Sequence, residues 1–543
     1  MKILNLCILL LVSLSLSAQK DTTKTNLKIN QVEVIKYFEA NLEETQKIGI
    51  KSVLTVQKPF NPKYKYDITI VPAVLQYPEP QIKPLAMNPD GPFKVNKGFL
   101  QAGYGFRKNP ELMAGYHFTK KDSYDAGFHL QYESLDNNHK NPFQQYRNST
   151  ADFYGSVMIK ENLKLYGDVS TSWKRRYFYH TDLQIDSLYT EDQSSRDLNR
   201  YGIKAGITNA EPTKFNFNYD FQLGLDNLNL DNTNARENGV LAKINVEKLF
   251  NKNSTLSIDA KYDYTALNSK KALSISAATL KPVLKTKIKN LIIQLGANML
   301  YSSDNRSSVF PEVYLSYGVA GPALQVFLGV NQDYYINNFR NVTSRNPYLS
   351  NELDSLVNTV SRKYYGGVKV QYSFITYQIT AGIKDADRMM FLLNQKKDIR
   401  YFDMVYGDVN IAFVSGNIDF AINESISVGG WLTQNVFKLK GISNAWHTPN
   451  IEGNAYGRAR LLNEKLELTA DLYFGSKVTF LNMENQIEKS NALFDLNLEA
   501  KYSINQKFSV FVKGINLLDN TFERWYGYPS VGINGMIGTR IIF

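Results

Sequence analysis

The feature that most constrains this chain is a hydrophobic alternation with a period of two, repeated along most of its length. Phe215, Phe217, Tyr219, Phe221, Leu223 and Leu225 fall on one side of an extended chain, with Asn216, Asn218, Asp220, Gln222 and Gly224 on the other. Leu256, Ile258, Ala260, Tyr262 and Tyr264 alternate in the same way with Ser257, Asp259, Lys261, Asp263 and Thr265. So do Leu466, Leu468, Ala470, Leu472 and Phe474, and then Phe494, Leu496, Leu498, Ala500 and Tyr502. A period of two belongs to the β-strand, whose side chains point to opposite faces in turn. Strands with one oily and one hydrogen-bonding face suit a soluble sandwich or propeller, or a barrel with lipid outside and water inside.

The connections between strands favour the barrel. Short turns recur at Lys160-Glu161-Asn162, Asn209-Ala210-Glu211-Pro212, Asn251-Lys252-Asn253, Gly321-Pro322, Asn423-Glu424-Ser425, Asn463-Glu464-Lys465 and Asn505-Gln506-Lys507. Between them lie longer polar segments near 135–147, 180–197, 227–237, 336–360, 385–398, 440–446, 478–490 and 515–532. Short connections on one rim and long ones on the other are the pattern of a membrane barrel, with periplasmic turns and extracellular loops. Counting strands between the turns predicts an all-β, transmembrane antiparallel barrel of about 22 strands over residues 97–543. The stretches 97–134 and 374–415 divide into strands ambiguously, and Pro282 falls inside an expected strand, where it cannot donate to a ladder.

Both ends of the chain bear on where it resides. Lys2, an apolar run from Ile3 to Leu16 and small residues at Ser15, Ser17 and Ala18 predict a signal peptide over residues 1–18. The one cysteine, Cys7, lies within it, so the mature chain is expected to have no disulfide and no thiolate chemistry. At the other end Ile537, Thr539, Ile541 and Phe543 form one side of a strand that runs to the last residue. Such a terminal aromatic strand is expected to be the signal read by the barrel-assembly machinery. With 35 Tyr and 30 Phe against 4 Trp, the composition suits an exported barrel. The net charge of +11 is spread without a basic block or a nucleic-acid motif. It is read as loops and lumen facing outer-membrane lipopolysaccharide or other anionic partners.

Residues 19–96 follow a different grammar. They hold eight of the seventeen prolines: Pro59, Pro62, Pro72, Pro78, Pro80, Pro84, Pro89 and Pro92. This density predicts an extended, irregular periplasmic segment, preceded by one short helix over 38–48.

Gly514-Ile515-Asn516-Leu517-Leu518-Asp519-Asn520-Thr521-Phe522-Glu523 resembles the penultimate-strand signature of TonB-dependent receptors. The segment Tyr526-Gly527-Tyr528-Pro529-Ser530-Val531-Gly532-Ile533-Asn534 resembles their final hairpin. The resemblance covers about forty C-terminal residues and implies a 22-stranded barrel. Those receptors carry a globular plug of well over a hundred residues. Here only the proline-rich 19–96 precedes the barrel, so the expectation is a relative without a conventional plug. Val95-Asn96-Lys97-Gly98 fits a plug spelling, and Val32-Glu33-Val34-Ile35 faintly resembles a coupling box but reads first as an ordinary strand.

No enzyme motif emerges. His117, His129, His139, His180 and His447 have no serine or carboxylate at a recognisable spacing, and there is no zinc motif or phosphate loop. No catalytic residue, cofactor or metal site is expected, and the oxygen-rich run 226–234 is read as a solvated loop. Aromatic and arginine residues cluster in two long loops: Tyr334, Tyr335, Phe339 and Arg340 in one, Phe522, Arg524, Trp525, Tyr526 and Tyr528 in the other. They are candidate extracellular contacts or members of an interfacial belt. Trp173 with Lys174, Arg175 and Arg176 reads as outer girdle. A barrel this wide must be filled by inward-folded loops, by residues 19–96 or by another envelope protein. The leading expectation is a structural or partner-binding subunit of an outer-membrane complex. The alternative is a passive or partner-gated pore for a solute, with an outer-membrane hydrolase third.

Overall fold

A computed structural model describes residues 96–543, apart from 122, 161, 184 and 231–234. The expected signal peptide, the proline-rich segment with its helix, and residues 231–234 of the oxygen-rich run lie outside the described residues.

Twenty-two strands form one closed antiparallel sheet. In chain order they begin with β1 (Gly98–Gly105), β2 (Asn109–Lys120), β3 (Tyr124–Asp136), β4 (Gln145–Lys160), β5 (Leu163–Tyr177), β6 (Ser195–Asn209), β7 (Phe217–Leu230) and β8 (Ala235–Asn251). Then come β9 (Ser254–Asn268), β10 (Ala272–Ile288), β11 (Leu291–Ser302), β12 (Arg306–Gly318), β13 (Leu324–Tyr335), β14 (Thr359–Gln371), β15 (Ile375–Asn394) and β16 (Phe402–Ala421). The wall ends with β17 (Ile426–Lys440), β18 (Ile451–Leu461), β19 (Leu466–Gly475), β22 (Leu493–Ser503), β23 (Phe508–Ile515) and β24 (Asn534–Ile542). A separate hairpin, β20 (Thr479–Leu481) with β21 (Ile487–Lys489), sits in the connection after β19. Each wall strand pairs with its chain neighbour, and β24 pairs with β1, Ile541 opposite Leu100, to close the ring.

The period-two pattern sorts the two faces as expected. On β7, Phe217, Phe221, Leu223 and Leu225 point outward and are exposed, as are Ile258 and Tyr262 on β9. The polar row lines the lumen and is tied across strands: Lys204 to Asp168 at 3.1 Å, Lys501 to Glu467 at 2.6 Å and Lys513 to Glu111 at 2.9 Å. The C-terminal row Ile537, Ile541 and Phe543 is likewise exposed on the outer face, while Met536 is buried. Trp173 lies outward too, its indole N–H donating to the Tyr201 hydroxyl at 3.1 Å.

The two rims differ as the connection lengths predict. The lower rim, where β1 begins and β24 ends, carries only short turns. Two are closed by an asparagine that accepts two backbone N–H groups: Asn423 from Ser425 and Ile426, both at 2.8 Å, and Asn505 from Lys507 and Phe508. All the long connections lie on the upper rim.

Two local expectations are corrected, and a third holds at a cost. Residues 385–394 are strand, and the loop is 395–401. The polar residues there mark no turn, because Asp385 accepts from Asn410 and Asp387 from Arg362 on the flanking strands. Of the run 226–234, residues up to Leu230 belong to β7. Pro282 does lie within β10, at the cost of two rungs: β10 and β11 pair at Leu280–Met299 and again at Val283–Gly296, with none between.

Candidate functional site

The upper rim is closed by a cap built in three steps from the wall inward. First, the inward rows of five strands turn apolar near the top. Leu198 on β6, Leu228 and Leu230 on β7, Ala235 on β8, Leu267 on β9 and Ile275 on β10 form a collar, all buried in one core. In β7 the apolar phase reverses: odd residues to Leu225 face out, whereas Leu228 and Leu230 face in.

Second, the upper ends of β13–β16 leave the wall. β12 and β13 pair only up to Val313–Val330, although both strands continue above that rung. On the other flank, β16 and β17 part above Asp408–Lys440. Between these splits, β13 to β16 stay paired to one another and form a four-stranded tongue. A bulge between Ala386 and Met389 re-phases β15 at the same level. Above it, alternate residues of β15 enter two different cores. Met390 and Leu392 join the collar, and Met389 and Phe391 join a second core with Val409, Ile411, Phe413, Phe437 and Trp446. A strand buried on both faces cannot be lipid-facing wall, so the tongue crosses the mouth. At 20 residues each, β15 and β16 extend roughly 66 Å. A membrane strand needs only about 9–11 residues.

Third, the long loops lock onto this frame. The β13–β14 loop carries a short helix, α1 (Ile185–Leu188) being in the β5–β6 loop and this one α2 (Phe339–Thr343). The first N–H groups of α2 are received by Glu237 on β8, from Phe339 at 2.6 Å and from Arg340 at 3.2 Å. Its cap residue Asn338 accepts from Asn341 and donates to Thr265 on β9 at 3.0 Å. Arg340 pairs with Asp226 on β7 at 2.9 Å. Beyond α2, Arg196 on β6 donates to the carbonyls of Pro347 at 2.8 Å and Leu349 at 2.6 Å.

Loops from opposite sides of the ring meet at the centre. The β5–β6 and β15–β16 connections are ten strands apart around a ring of twenty-two, almost a full diameter. Yet Phe178 and Tyr401 pack ring to ring at 4.8 Å, and the Arg400 guanidinium lies 3.7 Å from the Tyr189 ring centroid. Tyr528 of the last loop stacks on Tyr348 at 3.6 Å and donates to the Arg400 carbonyl at 2.7 Å. Tyr526 stacks on Phe480 of the β20–β21 hairpin, and Trp525 packs on Phe402 and His447. Gly527 (φ +78°) passes so close to His180 that a Cβ there would come within 2.2 Å of the ring Nε2.

The loop aromatics singled out in the sequence therefore converge, but inside the cap. Phe339 is fully buried, and Tyr526 and Tyr528 are buried. Tyr334 packs on a third small core of Ala277, Leu300 and Val360, and Arg524 reaches Glu452 at 3.0 Å. Tyr335, Phe522 and Trp525 are half-buried. Sequence reasoning missed the collar leucines, the tongue and the burial of two of the five histidines. His180 and His447 lie in the cap core, and burial depresses both imidazoles to about 4. Neither ring nitrogen of His180 has a hydrogen-bond partner, and His447 has only the Leu392 carbonyl, 2.9 Å from Nδ1. Elsewhere, His117 on β2 bonds Asp125 on β3 at 2.6 Å, with no serine bonded to that histidine. No group of three or more potential metal ligands occurs among the described residues.

No family model and no curated protein matches the sequence. Solved structures do match the fold. The FrpB iron transporter from Neisseria meningitidis superposes with a TM-score of 0.65 at 9% identity, over 83% of this chain and 82% of that one. The ferripyoverdine receptor of the outer membrane of Pseudomonas aeruginosa, bound to ferripyoverdine, gives 0.62 at 12%, over 82% and 72%. FpvAI in its complex with pyocin S2 gives 0.63 at 12%, over 82% and 70%. Closed 22-stranded geometry, seam pairing and these superpositions agree with the C-terminal resemblance, and the chain has the barrel fold of the TonB-dependent receptors.

Proposed function

We propose that the chain is an integral outer-membrane barrel of receptor type that passes a solute only when a ligand or an envelope partner opens its cap. The observation that carries this reading is the meeting of loops from opposite sides of the ring in one apolar core. In this reading the upper rim is extracellular and the lower rim periplasmic. The outer row contacts lipid and lipopolysaccharide, and the row ending in Phe543 serves assembly. Residues 19–96 act as an arm that docks on a periplasmic partner, in place of a conventional plug. Structures of an iron transporter and of a receptor bound to ferripyoverdine support uptake as the class of activity.

A second reading, a non-transporting subunit of an envelope complex, is favoured by one specific observation. The cap has cores of its own, with Phe339, Leu349, Phe391 and Phe402 fully buried, as a permanently closed lid would.

Planar-bilayer conductance separates the two. The purified protein should be silent, and removing residues 340–356, which join tongue to collar, should give discrete conductance steps. A variant that stays heat-modifiable yet silent would overturn gated passage. If a stoichiometric partner also co-purified with it, the subunit reading would take its place.

A further inference from the structure

At the root of the tongue, on its lumenal face, two lysines oppose each other. Lys363 on β14 is the direct register partner of Lys384 on β15. Their rung lies beside Asn331, the first residue of β13 above its last pair with β12. The outer row at this level is Tyr364, Ile383 and Val414, all exposed, so the lysines occupy the opposite, inward row.

Both ammonium groups converge on one ring. Nζ of Lys363 is 5.1 Å and Nζ of Lys384 4.8 Å from the centroid of Phe413 on β16, and Lys363 also lies 4.4 Å from the Tyr365 ring. Lys384 is only 8% exposed. Like charges directly opposite in a sheet repel. Cation–π contact offsets part of that but supplies no acceptor for the N–H groups. Among the described residues neither lysine has a carboxylate within ion-pair distance. Four lumenal lysines elsewhere do: Lys204, Lys281, Lys501 and Lys513. The carboxylate on the same face, Asp333, attracts both lysines from beyond ion-pair distance and accepts from Asn331 at 3.3 Å.

We propose that Lys363 and Lys384 form a binding site for the oxyanion group, carboxylate or phosphate, of a small solute in the lumen beneath the cap. Such a group supplies the missing acceptors, cancels the repulsion across β14–β15, and rests its apolar side on Phe413. The site stands on the lumenal geometry; its ligand being a transported solute rests on the uptake reading above.

The test is equilibrium binding of inorganic phosphate, and separately of succinate, to the full detergent-solubilised chain. Saturable binding is expected, weakened at least tenfold by Lys384→Gln and by Lys363→Gln, and retained by Lys384→Arg. Lys489→Gln, on the exposed β20–β21 hairpin, removes the same charge and should leave binding unchanged. Equal weakening by all the glutamine variants, or none by the lumenal pair, would overturn the site. Should the lumenal variants fail to fold, acylation of wild-type lysines gives the answer: phosphate should protect Lys363 and Lys384 selectively, and uniform labelling would reject the proposal. Loss of binding leaves gated passage untouched, because conductance of the loop-deleted barrel is measured without these ligands.

Discussion

The lower wall and the tongue are made of the same strands and obey opposite rules. In the wall, β15 and β16 present Ile379, Ile383, Val414 and Ile418 outward, each about half exposed in the absence of lipid. Roughly 25 to 40 Å higher along the same strands, by the rise of about 3.3 Å per residue, Phe391 and Phe402 are fully buried. The wall is stabilised by its ladder and by the bilayer, and its outer side chains need no protein partner. The tongue has two apolar faces and no bilayer, so it is held by packing as a soluble core is. Cap and barrel should therefore be separable, each failing without the other.

The largest effect should come from the tongue. Phe402→Ala removes a fully buried ring from the collar core and should cost the cap about 3–5 kcal/mol. Limited proteolysis of the 336–358 and 516–533 loops should speed up while heat-modifiability persists. If the barrel melts along with the cap, the separation is wrong.

The wall should show the reverse. Leu223→Arg, on the lipid row of β7, should cost about 2–4 kcal/mol near the bilayer midplane. Insertion should fail or slow, while any folded fraction keeps a protease-resistant cap. Efficient insertion of this variant would mean that the outward register of β7 is misassigned by one residue.

The smallest effect per group concerns acid. His180 faces Asp182 of its own loop, Asp398 of the 395–401 loop, and the Tyr526 and Tyr528 rings; His447 faces Phe402, Phe480 and Trp525. Burial holds both neutral to about pH 4, against about 6.5 when exposed. The closed cap thus binds fewer protons than the open one. Its stability is whole above pH 6.5 and falls as pH drops toward 4, by about 2 kcal/mol per histidine at pH 5. Loop proteolysis should accelerate between pH 7 and pH 5, and the double variant His180→Phe, His447→Phe should flatten that slope. A slope unchanged in the double variant would assign the acid response to other groups.

These differences explain what was legible in the sequence. Strand number, rims and facing follow from alternation and turn spacing, because lipid and water impose one pattern on every wall strand. The tongue did not, because the polar Asp385, Asp387 and Arg388 suggest a loop over 385–398; the unbroken apolar run Met389-Met390-Phe391-Leu392-Leu393 that follows them is what a strand buried on both faces requires. The collar left a readable trace that length-based loop assignment hid. In β7, β9 and β10 the apolar phase switches near the top, from Leu225 to Leu228, from Tyr264 to Leu267 and, read upward, from Leu280 to Ile275. A phase switch within an unbroken strand marks where lipid ends and a protein interior begins. Of the loop aromatics read as candidate contacts, Phe339, Tyr526 and Tyr528 are buried in the cap, since residue type does not tell a binding hot spot from a core.

The seam between β1 and β24 sets the order of events during folding. Phe543 receives N–H groups of Lys97 and Gly98 at 2.7 and 2.8 Å, so the first strand waits for the last residue. Bringing such distant segments together costs about 5 kcal/mol of chain entropy beyond a constant, on the logarithmic dependence on loop length. Until that moment both edges of a nearly complete sheet stay unsatisfied, open to pairing with any other strand. Slow closure is built into the topology, and a lesion confined to the final strand should strand the whole chain as an aggregation-prone intermediate.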